Sequence, residues 1–309
     1  MPEKFRLVTR SDMDGLVCAV LLKAMDMIND FKFVHPKDMQ DGKIEISGND
    51  ITTNLPFVEG VHMAFDHHHS ETLRNLDIRS NHIIDPEAPS AARVVYNYFG
   101  GKDRFPEIPD DMMTAVDKAD SARFDTEDVL KPKGWVLLSF LMDARTGLGR
   151  FREFRVSNYQ LMIDLIDYCK DHTIDDILEL PDVKERVQLY FKYEETFKYQ
   201  IRKCSTVHNN LVVLDLRREE SIYPGNRFMI YALSPECNIS IHTIWGLKKQ
   251  NTVFAVGKSI FNRTCQTNIG ELMLRYGGGG HPNAGTCQID NSKADNVLKE
   301  LIAEITGKG

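Results

Sequence analysis

Val61-His62-Met63-Ala64-Phe65-Asp66-His67-His68-His69 is the stretch on which the reading of this chain turns. An apolar run ends in one carboxylate followed directly by three imidazoles. Three successive histidines rarely arise from packing, and their internal position after a strand-like segment argues against a purification tag. Far upstream, Asp12-Met13-Asp14-Gly15 likewise follows an apolar stretch. Carboxylate oxygen and imidazole nitrogen are ligands for Mn²⁺, Mg²⁺ or Zn²⁺. Two such clusters on neighbouring strand ends would hold divalent cations in one small volume.

Around these clusters the chain alternates. Residues 5–9 suit a short strand, and after the acidic turn Leu16, Val17, Val20, Leu21, Ala24, Met25 and Ile28 recur at helical spacing. Further short strands are expected at 32–35, 44–47, 61–65 and 82–84. Ser90 suits the N-cap of a helix through Val94, Val95 and Tyr98. This alternation over the first ~120 residues predicts a parallel α/β sheet, whose ligands gather at the carboxyl ends of the strands. Both acidic clusters fall at such ends.

Beyond Pro109 the pattern turns helical. A helix opening at Pro109-Asp110-Asp111 carries Asp117 and Asp120, others are expected at 135–141 and 152–169, and a long charged one at 183–204 suits an interdomain role. Strands expected at 210–217, 228–233, 239–244, 253–256 and 286–289, with helices near 269–276 and 294–305, make a smaller α+β domain. The expected organisation is an α/β parallel-sheet domain over 1–190 with its helical segment, an interdomain helix over 191–205, and a C-terminal domain over 206–309.

At 309 residues, with 27% charged and 42% hydrophobic, the chain has the composition of an ordinary globular protein large enough for two domains. No apolar run approaches the ~18 residues needed to span a bilayer. The start, Met-Pro-Glu-Lys-Phe-Arg, lacks the apolar core of a signal peptide, so a cytoplasmic location is expected. Six cysteines are scattered without Cys-x-x-Cys spacing, against both a disulfide framework and a thiolate zinc site. The net charge of −7 disfavours long duplex nucleic acid more than it disfavours a short anionic substrate.

The chemistry follows from residue type. In Asp12-Met13-Asp14-Gly15 two carboxylates share a small volume, where their repulsion would raise their pKa values unless a divalent cation intervened. Helix capping by Asp12 or Asp14 is the simpler alternative. Consecutive side chains diverge, so His67, His68 and His69 divide into one or two ligands, one phosphate contact and one structural or exposed side chain. A third constellation is Gly277-Gly278-Gly279-Gly280-His281-Pro282-Asn283-Ala284-Gly285. Its glycines allow a loop whose N–H groups converge on an anion, with His281 as a further donor; a hinge is the alternative.

Taken in this order, the motifs resemble the DHH phosphoesterase family with its associated C-terminal substrate-binding domain. That family includes RecJ-type exonucleases, short-oligonucleotide ribonucleases, cyclic-dinucleotide phosphodiesterases and exopolyphosphatases. The resemblance implies Asp12, Asp14 and His67 as metal ligands, with Asp66 a catalytic residue of the same motif as His67 and His68 near the scissile phosphate. It implies a further ligand from a lone Asp at a strand end, for which Asp50 is chosen over Asp41. Another comes from the later helix, where Asp120 is preferred to Asp117. Gly278, Gly279, Gly280 and His281 match its phosphate-contacting loop. Arg10 stands where many relatives carry a ligating His; a guanidinium cannot ligate a cation. Either one metal site is weakened, or His69 or water fills the vacancy while Arg10 contacts phosphate.

The resemblance therefore implies one or two ions, Mn²⁺ before Mg²⁺, and a cation-activated water attacking phosphorus. The second domain is expected to close over the cleft, with Ser259, Asn262 and Arg263 as further polar contacts and Arg145 as a weaker candidate. The expected partner is a short anionic phosphate compound: an oligonucleotide or cyclic-dinucleotide product first, inorganic polyphosphate as the alternative. A noncatalytic nucleotide-binding regulator is the rival from another class. No membrane partner is expected, and a homodimer is compatible with the reading.

Overall fold

Five short segments pair into one wholly parallel sheet: β1 (Phe5–Arg10), β2 (Ile28–Val34), β3 (Asp50–Thr53), β4 (Met63–Asp66) and β5 (His82–Ile84), in the order β2-β1-β3-β4-β5. The computed structural model describes residues 4–68, 71–72 and 79–307. Contacts divide the chain into two units, Met1–Phe124 with Pro132–Tyr190, and Asp125–Lys131 with Phe191–Gly309.

In the first unit, α1 (Met13–Ala24) is buried on nearly every side from Met13 to Leu22, because it packs on β1 and β2 and is covered by further helices. Those helices are α3 (Ala91–Tyr98), α4 (Asp110–Asp120), α6 (Gly134–Met142) and α7 (Asn158–Asp171); α2 (Pro36–Gln40) and α8 (Ile174–Glu179) also belong to this unit, α9 (Pro181–Cys204) begins in it, and α5 (Thr126–Leu130) belongs to the second. Gly15 permits the tight passage from β1 into α1. A Cβ there would lie 1.9 Å from the Arg10 carbonyl oxygen. Burying side chains such as Leu16, Leu21 and Leu22 contributes ~1.5–3 kcal/mol each.

The expected strand at 44–47 does not form. Ile44 and Ile46 alternate like a strand, yet they cover Val8, Met39 and Leu55 as irregular chain, and the sheet takes Asp50–Thr53 instead. This shift has consequences for the site, because Asp50 then begins a strand rather than ending one.

The second unit holds a six-stranded sheet in the order β10-β11-β9-β8-β7-β6, built from β6 (Ser205–His208), β7 (Leu211–Asp215), β8 (Ile239–Trp245), β9 (Thr252–Lys258), β10 (Gly279–His281) and β11 (Ala284–Ile289). Only β7 and β8 among its pairs run parallel. Leu211, Val213, Ile239, Ile241, Phe254 and Val256 form one core with α11 (Ile269–Leu274) and α12 (Asn291–Gly307). Two expectations are corrected here. Residues 228–233 were expected as a strand, but α10 (Met229–Leu233) is helical: Asn226 Oδ1 accepts the Phe228 N–H at 2.9 Å and turns the chain into it. The glycine tract is no open loop, since Gly279–His281 pairs antiparallel with Ala284–Thr286. Its glycines serve close approach; a Cβ on Gly278 would lie 2.1 Å from the Thr286 carbonyl oxygen. All six cysteines are free thiols. No helix among the described residues is long and apolar enough to cross a membrane.

Candidate metal centre

The carboxyl ends of β1 and β4 bring the two acidic clusters together. Asp14, His67 and Asp120 place a ligand atom each within 4.8 Å of one another, and Asp66, His67 and His68 form a second such group. Each side chain is set by its element. Asp12 caps α1, accepting the Gly15 N–H at 3.1 Å, and its other oxygen lies 3.2 Å from Arg10 Nε. Asp14 enters the first turn of α1 and accepts the Ala92 and Ala91 N–H groups at 2.8 and 3.1 Å, at the N-terminus of α3. Ser90 caps that helix by accepting the Arg93 N–H.

Asp120 and Asp117, three residues apart on α4, have different fates. Asp117 is consumed by Ser90 Oγ at 2.8 Å and by Arg93 at 3.0 and 2.5 Å, whereas Asp120 Oδ2 reaches His67 Nε2 at 2.8 Å. His67 Nδ1 lies 3.2 Å from the Ala88 carbonyl oxygen, which places a ring hydrogen on Nδ1. The Nε2 contact with Asp120 is close but lacks hydrogen-bond geometry, so Nε2 points into the cluster without a committed partner. Asp66 is buried; its Oδ1 accepts the His67 and His68 N–H groups and lies 2.7 Å from His68 Nδ1, while Oδ2 has no hydrogen-bond partner among the described residues. His68 is thereby held with Nδ1–H toward Asp66 and Nε2 uncommitted.

The electrostatics fit a divalent cation. Burial, then the neighbouring Asp120, lifts the Asp14 carboxyl well above its ordinary value, and burial raises Asp12 against the pull of Arg10. Burial also works on Asp120, but His67 outweighs it and holds this carboxyl low. For His67, burial opposes the charged ring; Asp120, Asp14 and Asp66 overcome it and raise the pKa to about 9. The three carboxylates thus demand positive charge at Nε2, which a divalent ion would supply with the ring neutral. Asp66 Oδ2 and His67 Nε2, which have no hydrogen bond among the described residues, are atoms such an ion would use. The donor set, carboxylate oxygens with an imidazole, suits Mn²⁺ or Mg²⁺ chemistry.

Asp50 is not brought to this cluster, which corrects the expectation. It stands at the amino end of β3, where Arg6 Nε donates to it at 2.7 Å and the Ser47 N–H at 2.7 Å. Burial would raise its carboxyl, but Arg6 and Ser47 hold it below the ordinary range. Its rival Asp41 is paired with Lys37 and Lys43 next to α2. His69 lies outside the described residues. The position at the carboxyl end of β3 belongs to Asn54, which the sequence reading missed. It is 1% exposed, has φ 55°, and neither amide atom has a hydrogen-bond partner among the described residues. The only signal was a polar residue just past Ile51-Thr52-Thr53, legible once the strand is placed there. Arg145 also bears on the cluster: Asp143 Oδ1 accepts its Nε and backbone N–H at 2.7 and 2.9 Å, and its charge acts on Asp12 and Asp120.

In the second unit, Ser259 is buried and its Oγ accepts the Phe261 and Asn262 N–H groups at 3.2 and 3.1 Å, so it shapes that turn. Arg263 Nε donates to the Ile260 carbonyl at 3.0 Å. Asn262 Oδ1 accepts from Thr264 Oγ1 at 2.7 Å. Gly278 leads into the hairpin, and Gly279, Gly280 and His281 lie on its edge strand rather than around an anion-binding loop.

Comparison with known proteins sharpens this picture. No family model matches the chain, and no curated protein does. Among solved structures, a pGpG-specific phosphodiesterase, PggH from Vibrio cholerae, is 62% identical over 99% of this chain and 100% of its own, with a TM-score of 0.89. An exonuclease RecJ bound to manganese shares the fold at 12% identity, covering 99% of this chain and 90% of its own with a TM-score of 0.55. RecJ from Thermus thermophilus in complex with Mn²⁺ does so at 13% identity, over 99% of this chain and 52% of its own, with a TM-score of 0.56. With a full-length relative at this identity, and Asp66-His67-His68 at the end of β4 beside Asp14, the chain belongs to the DHH phosphoesterase family.

Proposed function

We propose that this chain hydrolyses the phosphodiester bond of short 5′-phosphorylated dinucleotides of the pGpG type, using a divalent cation, Mn²⁺ before Mg²⁺. The observation that carries this reading is the 62% identity to a pGpG-specific phosphodiesterase, which extends over 99% of the chain and so bears on both units. The catalytic role is assigned to the first unit, with Asp12, Asp14, His67 and Asp120 as the residues that hold the cation. Bound there, the cation would polarise the phosphoryl group and acidify an attacking water.

The rest falls to the chain's own groups. The amides of Ala91 and Ala92 fix Asp14, and the Ala88 carbonyl fixes the His67 ring, so both are oriented before substrate arrives. Asp66 keeps the hydrogen of His68 on Nδ1, so that Nε2 can take a proton from the attacking water. The water oxygen bonds to phosphorus as the P–O3′ bond breaks; the leaving oxygen ends protonated, and one pGpG gives two pG. Substrate binding is assigned to the second unit, where Ser259, Asn262, Arg263 and the Gly278–His281 hairpin are the proposed polar contacts.

The test is incubation of the full chain and Mn²⁺ with pGpG, a cyclic dinucleotide and inorganic polyphosphate, with products resolved by chromatography. Release of pG from pGpG ahead of the other two is expected. Phosphate release from polyphosphate with pGpG left intact would overturn the reading in favour of an exopolyphosphatase.

A further inference from the structure

The two ligand groups of the first unit share one residue, His67. Its Nδ1 faces the Ala88 carbonyl, so it has a single nitrogen, Nε2, to give. Asp66 has already committed Oδ1 to His68 and to two backbone N–H groups. A second ion would therefore have to sit among the ends of β1, β3 and β4. The register that pairs Thr9 with Thr53 and Thr53 with Phe65 sets Arg10, Asn54 and Asp66 side by side there.

Neither Arg10 nor Asn54 welcomes a metal ion. Arg10 is a fixed cation docked on Asp12, its Nε 3.2 Å from Oδ2, and its terminal nitrogens make no hydrogen bond among the described residues. Asn54 is buried with both amide atoms unpartnered among the described residues, and it offers an oxygen without negative charge.

We propose that this chain binds one divalent ion rather than two, and that the Arg10 guanidinium stands in place of the second. Its Nε stays on Asp12 while its terminal N–H groups bind the nonbridging oxygens of the scissile phosphate; Asn54 is the uncharged positioning residue that keeps a second ion out. Fork geometry suits a guanidinium to a phosphate, and unlike a bound ion it is always present. The phosphate contact rests on the phosphodiesterase reading; the ion count does not.

The experiment is equilibrium dialysis of the full chain against Mn²⁺ with elemental analysis, alongside electron paramagnetic resonance of the bound ion. One Mn²⁺ per chain with an isolated six-line spectrum is expected; two spin-coupled Mn²⁺ per chain would overturn the proposal. The double variant Arg10→His/Asn54→Asp should gain a second, coupled ion, and a folded double variant that still holds one would refute the role given to these two residues. Arg10→Ala should keep its single ion while kcat/KM for pGpG falls ~10²–10³-fold, with partial recovery in Arg10→Lys. An unchanged kcat/KM would remove Arg10 from the phosphate. A wild-type chain that holds one ion but leaves pGpG intact would sink the proposed function and leave the ion count standing.

Discussion

The two edges of the parallel sheet use the same residue types to opposite ends. At the amino edge, Asp50 meets Arg6 and the Ser47 N–H at 2.7 Å each. At the carboxyl edge, Asp14, Asp66, Asp120 and His67 converge, and Asp66 Oδ2 and both Asn54 amide atoms have no hydrogen-bond partner among the described residues. The first edge is a closed structural ion pair. The second is built around something the polypeptide does not itself supply. The difference lies in what surrounds each end: Asp50 at its strand start meets the preceding loop and a neighbouring arginine, whereas at the strand ends α1 and α4 add the carboxylates of Asp14 and Asp120. Unsatisfied buried polar atoms cost about 1–3 kcal/mol each, so such an edge persists only where a ligand repays it.

Substitutions should separate the edges. The largest effect is expected at the carboxyl edge: His67→Ala should lower pGpG hydrolysis by ~10³-fold or more without unfolding the chain, checked by product release together with circular dichroism. Next, Mn²⁺ at a hundredfold excess over its Kd should stabilise the wild type by ~2.7 kcal/mol, seen as a rise in Tm of several degrees. Asp120→Asn should abolish that rise, while Asp50→Ala should retain it. An Asp50→Ala chain that lost its Mn²⁺ response would erase the contrast drawn here.

At the amino edge the expected effect is on stability. Asp50→Ala strands Arg6 and the Ser47 N–H, and should lower unfolding free energy by about 2 kcal/mol in urea melts at pH 7. Because the Asp50 carboxyl is held below its ordinary value, its contribution is complete above the unfolded carboxylate range, near pH 4, and fades as pH falls through the folded value. Wild type and variant should therefore converge in stability under acid. The smallest effect is expected for Ser90→Ala, which removes the cap of the helix holding Asp14 and should cost about 1 kcal/mol in the same melts.

Much of the first unit was legible residue by residue. The parallel sheet, the strand at 82–84, the Ser90 cap and the nearness of the two acidic clusters all follow from local pattern, because capping and strand–turn–helix alternation are short-range. Asp50 was misplaced for a reason equally local. Ile44 and Ile46 have the period of a strand, and only their packing on Val8, Met39 and Leu55 shows that period spent on covering rather than pairing. The segment 228–233 failed similarly: a short apolar run carries no periodicity, and an Asn226 turn decided it. In the glycine tract, composition suggested freedom, whereas the fold used the missing side chains to seat one strand against another.

By itself the sequence determined the family, the fold class and most of the groups that meet at the centre, since ligand chemistry belongs to residue type and strand ends can be found from pattern. Tertiary structure alone decided which carboxylates are open and which are spent: Asp117 is taken up by Ser90 and Arg93, and Asn54 rather than Asp50 stands at the end of β3. Register and side-chain pairing are non-local, so a carboxylate's availability depends on partners 24 or 44 positions away that no local window contains.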